Sequence, residues 1–240
     1  MNFLDRQQAG QILAEKLIQY QKDRNVLVLG LPRGGVQVAE PVAQALKAPL
    51  DVLLLRKLPY PPQPELAVGA LAEDGSTFIN EEFRKAIQED PAWLDPIIHE
   101  QMQVIRNRTK LYRPHRHAHG FKGKTVILVD DGIATGATMK VAVRAARSGG
   151  ATRVIVAIPV AAPSSIRELE AEADEVICLD APEYFYAVGQ AYENFAQVTD
   201  KKSVRSWIAI PNSPFGKTSK SPSPRRTSKS SSCRFSCWSG

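Results

Sequence analysis

The stretch Thr125 to Thr138, TVILVDDGIATGAT, narrows the fold more than any other part of the chain. Its apolar run is too short for a helix and is bounded by Gly and acids, so it reads as a buried strand. Two adjacent carboxylates, Asp130 and Asp131, fall where the strand's carboxyl end emerges. The turn of Thr135, Gly136 and Thr138 then opens a helix. Similar apolar runs recur at Val26 to Leu29, Leu50 to Leu55, Val154 to Pro159 and Val176 to Leu179. Between and around them lie helical stretches over 5–22, Gly35 to Lys47, Thr138 to Ser148 and Ser165 to Ala173. In the first of these, Asp5 is the expected N-cap, and Ala9, Leu13, Leu17 and Tyr20 share a face. Pro41 predicts a late start or a kink in the second. Strand–helix–strand spacing of this kind means crossovers and a parallel sheet covered on both faces. The expected fold class is therefore doubly wound α/β.

Residues 58–122 interrupt the alternation and read as an inserted lid segment. It opens Pro-rich, carries a hairpin signal at Glu73-Asp74-Gly75, and continues with helices over 81–89 and 93–112. It ends in a basic loop with His115, His117 and His119. Alternating histidines suggest a metal. With no nearby Cys or acid in the sequence, a mobile loop touching phosphate is the preferred reading, and no metal ligand is assigned there.

Nine of the 31 Lys and Arg residues, and none of the 25 acids, lie beyond position 200. Residues 1–200 thus carry a net charge of −3, and the basic balance belongs to a Ser/Pro-rich tail, 201–240. That tail has no apolar periodicity and is expected to be disordered. A basic nucleic-acid or membrane arm is the alternative, and a frame-shifted product is another, because composition changes sharply near Lys201. The domain itself is placed at 1–200, with no specific nucleic-acid partner. No apolar run reaches membrane-spanning length, the start lacks a secretory pattern, and the three cysteines make no disulfide framework. A soluble, cytoplasmic protein is expected.

At the ligand edge of an open α/β sheet, the turn after Asp131 offers unpaired N–H groups and hydroxyls to a phosphate, while the two acids offer fixed acceptors to vicinal hydroxyls. They could also hold Mg²⁺, directly or through water. The alternative is a capped turn whose aspartates only stabilise the helix N-terminus. The pattern is neither G-x-G-x-x-G nor the G-x-x-x-x-G-K-[ST] loop.

The string VILVDDGIATGAT resembles the phosphoribosyl-diphosphate (PRPP) motif of the type I phosphoribosyltransferases. The resemblance covers most of residues 1–200, and within the family it is nearest to members of unassigned substrate. It implies that Asp130 and Asp131 hold the ribose hydroxyls and magnesium, and that Ala134, Thr135, Gly136, Ala137 and Thr138 cradle the 5′-phosphate. It also implies that Gly30 to Gly35 is a pyrophosphate loop, with the backbone of Gly34 and Gly35 and the side chain of Arg33 facing the diphosphate. Lys57, closing the second strand, is a further cation for the diphosphate; a strand end facing solvent is its alternative. The Val-Gly step within Tyr184 to Glu193 resembles the acceptor segment of purine-using members, with Tyr186 stacking on the acceptor and Glu193 near its edge or the metal. Simple core is the alternative for that aromatic density. Hypoxanthine–guanine members carry an acid where this chain has Ala134, and no Lys follows the fourth strand to read a 6-oxo group. The expected activity is an Mg²⁺-dependent transfer of phosphoribosyl from PRPP to a nitrogen acceptor, a nucleobase for preference, with release of pyrophosphate. The alternatives are a regulator that senses PRPP without catalysis and a transferase acting on a small amine. A homodimer is compatible with the family, although no stretch declares an interface.

Overall fold

The computed structural model describes residues 1–114, 118–201 and 203–204. The tail from 205 onward, and with it the expectation of disorder, lies outside the described residues, as do His115 and His117. The central feature is a five-stranded, wholly parallel sheet. Its strands are β1 (Val26–Gly30), β2 (Leu50–Val52), β6 (Thr125–Val129), β7 (Arg153–Val160) and β8 (Glu175–Asp180). They lie in the order β2-β1-β6-β7-β8. Strands β1 and β6 are buried along their whole length, which is why they read as unbroken apolar runs rather than alternating ones.

Helices cover both faces. On one side α1 (Arg6–Lys16) and α2 (Gly34–Leu46) bury Leu13, Leu17, Val38 and Val42 against Val26, Val28, Ile127 and Val129. On the other, α5 (Ala137–Ser148) and α6 (Pro163–Glu170) bury Met139, Ala142, Val143 and Leu169 against Leu27, Leu29, Val126 and Leu128. Asp5 caps α1 as expected, its carboxylate accepting from the Gln8 N–H at 2.9 Å. The helical stretch then tightens into a 3₁₀ turn at Ile18–Lys22. Pro41 does not delay α2, which begins at Gly34 and runs through it. The proline lies on the face turned to α1, where Gly10 leaves room: a Cβ on Gly10 would stand 2.4 Å from Pro41 Cγ.

The inserted segment leaves the parallel sheet three residues earlier than expected. After β2 the apolar run continues through Leu53 and Leu54, but β3 (Leu55–Tyr60) belongs to a separate antiparallel sheet with β4 (Gln63–Ala72) and β5 (Thr77–Ile79). The turn at Glu73 to Ser76 joins β4 to β5, with Gly75 at φ 88°. Two helices follow, α3 (Glu81–Glu89) and α4 (Leu94–Tyr112). Tyr60 packs against Phe83 and Trp93, with ring centroids 5.1 and 6.0 Å away.

A buried ionic cluster ties this insert to the sheet. Arg113, just past α4, donates to Asp51 of β2 at 2.9 Å, to Glu73 and to the Val52 carbonyl. The Asp51 and Arg113 side chains are each only 1% exposed. His119 joins through its backbone, its N–H donating to Asp51 Oδ2 at 2.9 Å. The histidine loop therefore does have an acid beside it, brought from a strand almost seventy residues away. Desolvation lowers the pKa of the half-buried His119. Among the described residues no group of three or more His, Cys, Asp or Glu side chains could hold a metal, and no helix is long and apolar enough to cross a membrane.

Candidate functional site

Strands β1 and β6 are neighbours in register, Gly30 opposite Val129, so the loops that follow them emerge side by side at the carboxyl edge of the sheet. Leu31 N–H donates to the Val129 carbonyl at 2.9 Å and holds the two loops together. The peptide bond between Pro32 and Arg33 is cis. Beyond it the loops interlock. A Cβ on Gly34 would stand 1.8 Å from Asp131 Oδ2, and one on Gly35 would stand 2.6 Å from the Val129 carbonyl and 2.9 Å from Asp130 Oδ1. Only glycine permits this approach of backbone to carboxylate.

Asp130 Oδ1 accepts from the Asp131 N–H at 2.8 Å. Its enclosure between the loops, with the Asp131 carboxylate adjacent, pushes the Asp130 carboxyl well above the usual carboxylate range. Asp131 is paired instead: Arg6 Nε donates to Asp131 Oδ2 at 2.7 Å, and the two side chains are 8% and 16% exposed. Neither Arg6 nor Tyr192, whose hydroxyl donates to the Asp131 carbonyl at 2.6 Å, was expected here from the sequence.

The loop from Gly132 to Gly136 is pinned from below. Ile133 bridges Ala161, with Ile133 N–H on the Val160 carbonyl and Ala162 N–H on the Ile133 carbonyl, both at 3.0 Å. Ser165 Oγ donates to the Ala134 carbonyl at 2.7 Å. Gly136 stands at the N-cap of α5 with φ 71° and ψ −9°, a left-handed conformation that turns the chain sharply into the helix. Ala134 and Thr135 are exposed, Gly136 is buried, and Ala137 and Thr138 lie half-buried in the first turn. The free N–H groups of that turn carry the partial positive charge of a helix start, suited to a phosphate.

The remaining sequence candidates fall in three places. Arg33 is exposed on the first loop, and its carbonyl accepts from Ser203 Oγ at 3.1 Å. Ser203 is fully buried, so packing continues past position 200. Lys57 does not close a strand of the parallel sheet. It lies on β3, opposite Ala70, exposed on the insert, because the chain has already left the sheet at Leu55. The segment after β8 divides: Tyr184 and Tyr186 are 72% and 84% exposed, whereas Ala191 and Tyr192 join a small core cluster with Phe3. It does reach the site, because Val188 packs on the backbone of Gly132, and Tyr192 on that of Asp131. Glu193 is exposed beside Tyr192 and accepts from Asn2 at 3.4 Å.

The parallel sheet thus carries at its carboxyl edge two interlocked glycine–aspartate loops, one of which opens a helix. Residues 2–195 match the family model described as the phosphoribosyl transferase domain, and the chain belongs to that family. Two curated relatives, from Mycobacterium tuberculosis strains H37Rv and CDC 1551, are 45% identical over 202 residues and bear names that assign them provisionally as phosphoribosyl transferases. The alignment takes in 84% of this chain but 45% of theirs, so the chain spans less than half the length of those relatives. Among solved structures, TT1426 from Thermus thermophilus is 41% identical, with a TM-score of 0.78 over 88% of this chain and 99% of that one.

Proposed function

We propose that this chain transfers the phosphoribosyl group of PRPP to a nitrogen nucleophile, a nucleobase for preference, and releases pyrophosphate. The observation that carries the reading is the contact of Gly34 and Gly35 with Asp131 and Asp130, which sets a backbone suited to a diphosphate against two acceptors suited to ribose hydroxyls. In the reaction the bond from the ribose C1 to the diphosphate oxygen breaks, and the pair leaves with pyrophosphate. The acceptor nitrogen supplies the new pair to C1 and gives up its proton to water. Positive charge develops on the ribose as the bond lengthens, and Asp130 and Asp131 lie where they would hold the sugar and offset that charge. Arg33 and the N–H groups of Gly34 and Gly35 would receive the charge growing on the leaving group. Ala134 to Thr138 would hold the 5′-phosphate. Tyr186, open on its segment, would stack on the acceptor, with Glu193 at its edge.

Two carboxylates at a strand end, with no third acid beside them among the described residues, suit Mg²⁺, which keeps waters and substrate oxygens rather than an all-protein cage. Asp130 and Asp131 would hold it, and when bound it would neutralise diphosphate charge.

Pyrophosphate release from PRPP is the direct test, with Mg²⁺, a panel of nucleobases and small amines, and a no-acceptor control. Release that depends on one acceptor is expected and would name it. Tight PRPP binding with no release for any acceptor would instead favour a sensor.

A further inference from the structure

Arg6 is placed with unusual completeness for a residue so far from the PRPP motif in sequence. Its Nε is on Asp131, its Nη1 donates to the Ala196 carbonyl at 2.9 Å, and its guanidinium carbon lies 3.9 Å from the centre of the Phe195 ring. Tyr192 stacks on Phe195, with centroids 5.1 Å apart, while its hydroxyl holds the Asp131 carbonyl. The first residue of α1 and the segment 192–196 thus grip one aspartate from two sides. A buried guanidinium held by a carboxylate, a carbonyl and a ring face has little freedom, and neither does the carboxylate it holds.

We propose that Arg6 is a positioning residue: it fixes the Asp131 carboxylate, through one oxygen, in the orientation that recognises the ribose 2-hydroxyl. The inference rests on the reading of Asp130 and Asp131 as the ribose acceptors. A bond through Oδ2 leaves Oδ1 for the sugar, and an uncompensated second carboxylate beside Asp130 would be costly in so enclosed a place. The opposite role is a latch, in which Arg6 occupies Asp131 and must let go before a sugar binds. The two roles differ in sign.

The probes are ribose 5-phosphate and 2-deoxyribose 5-phosphate, titrated calorimetrically into the full chain at one magnesium concentration. The wild type should prefer the ribose form by about tenfold or more, the worth of a hydrogen bond to a charged group. Arg6→Gln keeps the stem of the side chain and removes the charge. It should bring the preference towards unity while leaving the affinity for the deoxy form unchanged, which general damage to the fold would not do. Arg6→Lys should restore part of the preference. Asp131→Asn should abolish it, and adding Arg6→Gln to that variant should change nothing further. Wild-type preference in Arg6→Gln would overturn the inference, as would tighter ribose 5-phosphate binding, the mark of a latch. If Asp131→Asn loses the preference and Arg6→Gln keeps it, only the role of Arg6 fails. If the wild type has no preference, or Asp131→Asn keeps it, the ribose reading of the aspartates fails as well.

Discussion

Acidic side chains are treated differently at the two ends of β2's neighbourhood. At the carboxyl edge of β1 and β6, Gly34 and Gly35 press their backbone against Asp130 and Asp131, and the Arg6 guanidinium takes one oxygen of Asp131. Where the insert joins the sheet, Asp51 and Glu73 are met by a single guanidinium, that of Arg113, which also takes the Val52 carbonyl. The second arrangement is closed, with its charges spent on one another. The first leaves carboxylate oxygens and helix N–H groups with capacity for something else. Charge density alone would not separate them; the difference lies in how much of each carboxylate the protein's own cations take up.

Substitutions can press on that difference. The largest effect is expected from Gly34→Ala, whose methyl would meet Asp131 Oδ2 at 1.8 Å and push the carboxylate aside. PRPP affinity measured by calorimetry should fall about a hundredfold, as for other displacements of about 1 Å at a reacting centre. Gly75→Ala in the insert meets only open space; its φ of 88° should cost about 1–2 kcal/mol in urea unfolding and leave the affinity alone. Equal affinity in both variants would remove the distinction. Arg113→Met should cost about 3–5 kcal/mol of stability, because Asp51 and Glu73 would be left buried without their cation. A cost near zero would mean that the cluster is not the anchor of the insert.

A smaller effect concerns pH. Burial raises the pKa of Glu73 and outweighs the Arg113 guanidinium. The folded state therefore holds this proton more tightly than the unfolded chain does. The stability it contributes is full below the ordinary glutamate range and is lost as pH rises through the raised folded value. Glu73→Gln should flatten that part of the unfolding free energy measured against pH, and an unchanged slope would locate the dependence elsewhere. Smallest of all, Tyr192→Phe removes one hydrogen bond to the Asp131 carbonyl. It should weaken PRPP binding several-fold, about 1 kcal/mol, with little change in stability.

The core was readable because a strand buried on both faces leaves an unbroken apolar run, and because the turns into α2 and α5 need glycine. Those two signals located β1, β6 and both loops. They could not locate Arg6 or Tyr192, whose bonds to Asp131 span 125 and 61 residues and leave no local pattern. Lys57 was misplaced for a related reason: Leu50 to Leu55 is apolar throughout, apart from Asp51, and nothing in it marks where the chain changes sheets. The aromatic segment combines both environments, since Tyr184 and Tyr186 stand in solvent while Tyr192 is buried, and aromatic density alone does not mark where it turns inward.

The direct pairing of Val26–Gly30 with Thr125–Val129 means that everything between them is, to the site, one closed excursion of the chain. The entropy of closing such an excursion grows only with the logarithm of its length, about 0.6 kcal/mol for each doubling. The segment between β2 and β6 can therefore lengthen, shorten or be rebuilt at small thermodynamic cost, provided its two ends still reach the strands on either side of β1. A fixed pair of loops with a freely variable span between them allows one frame to be fitted with different covers.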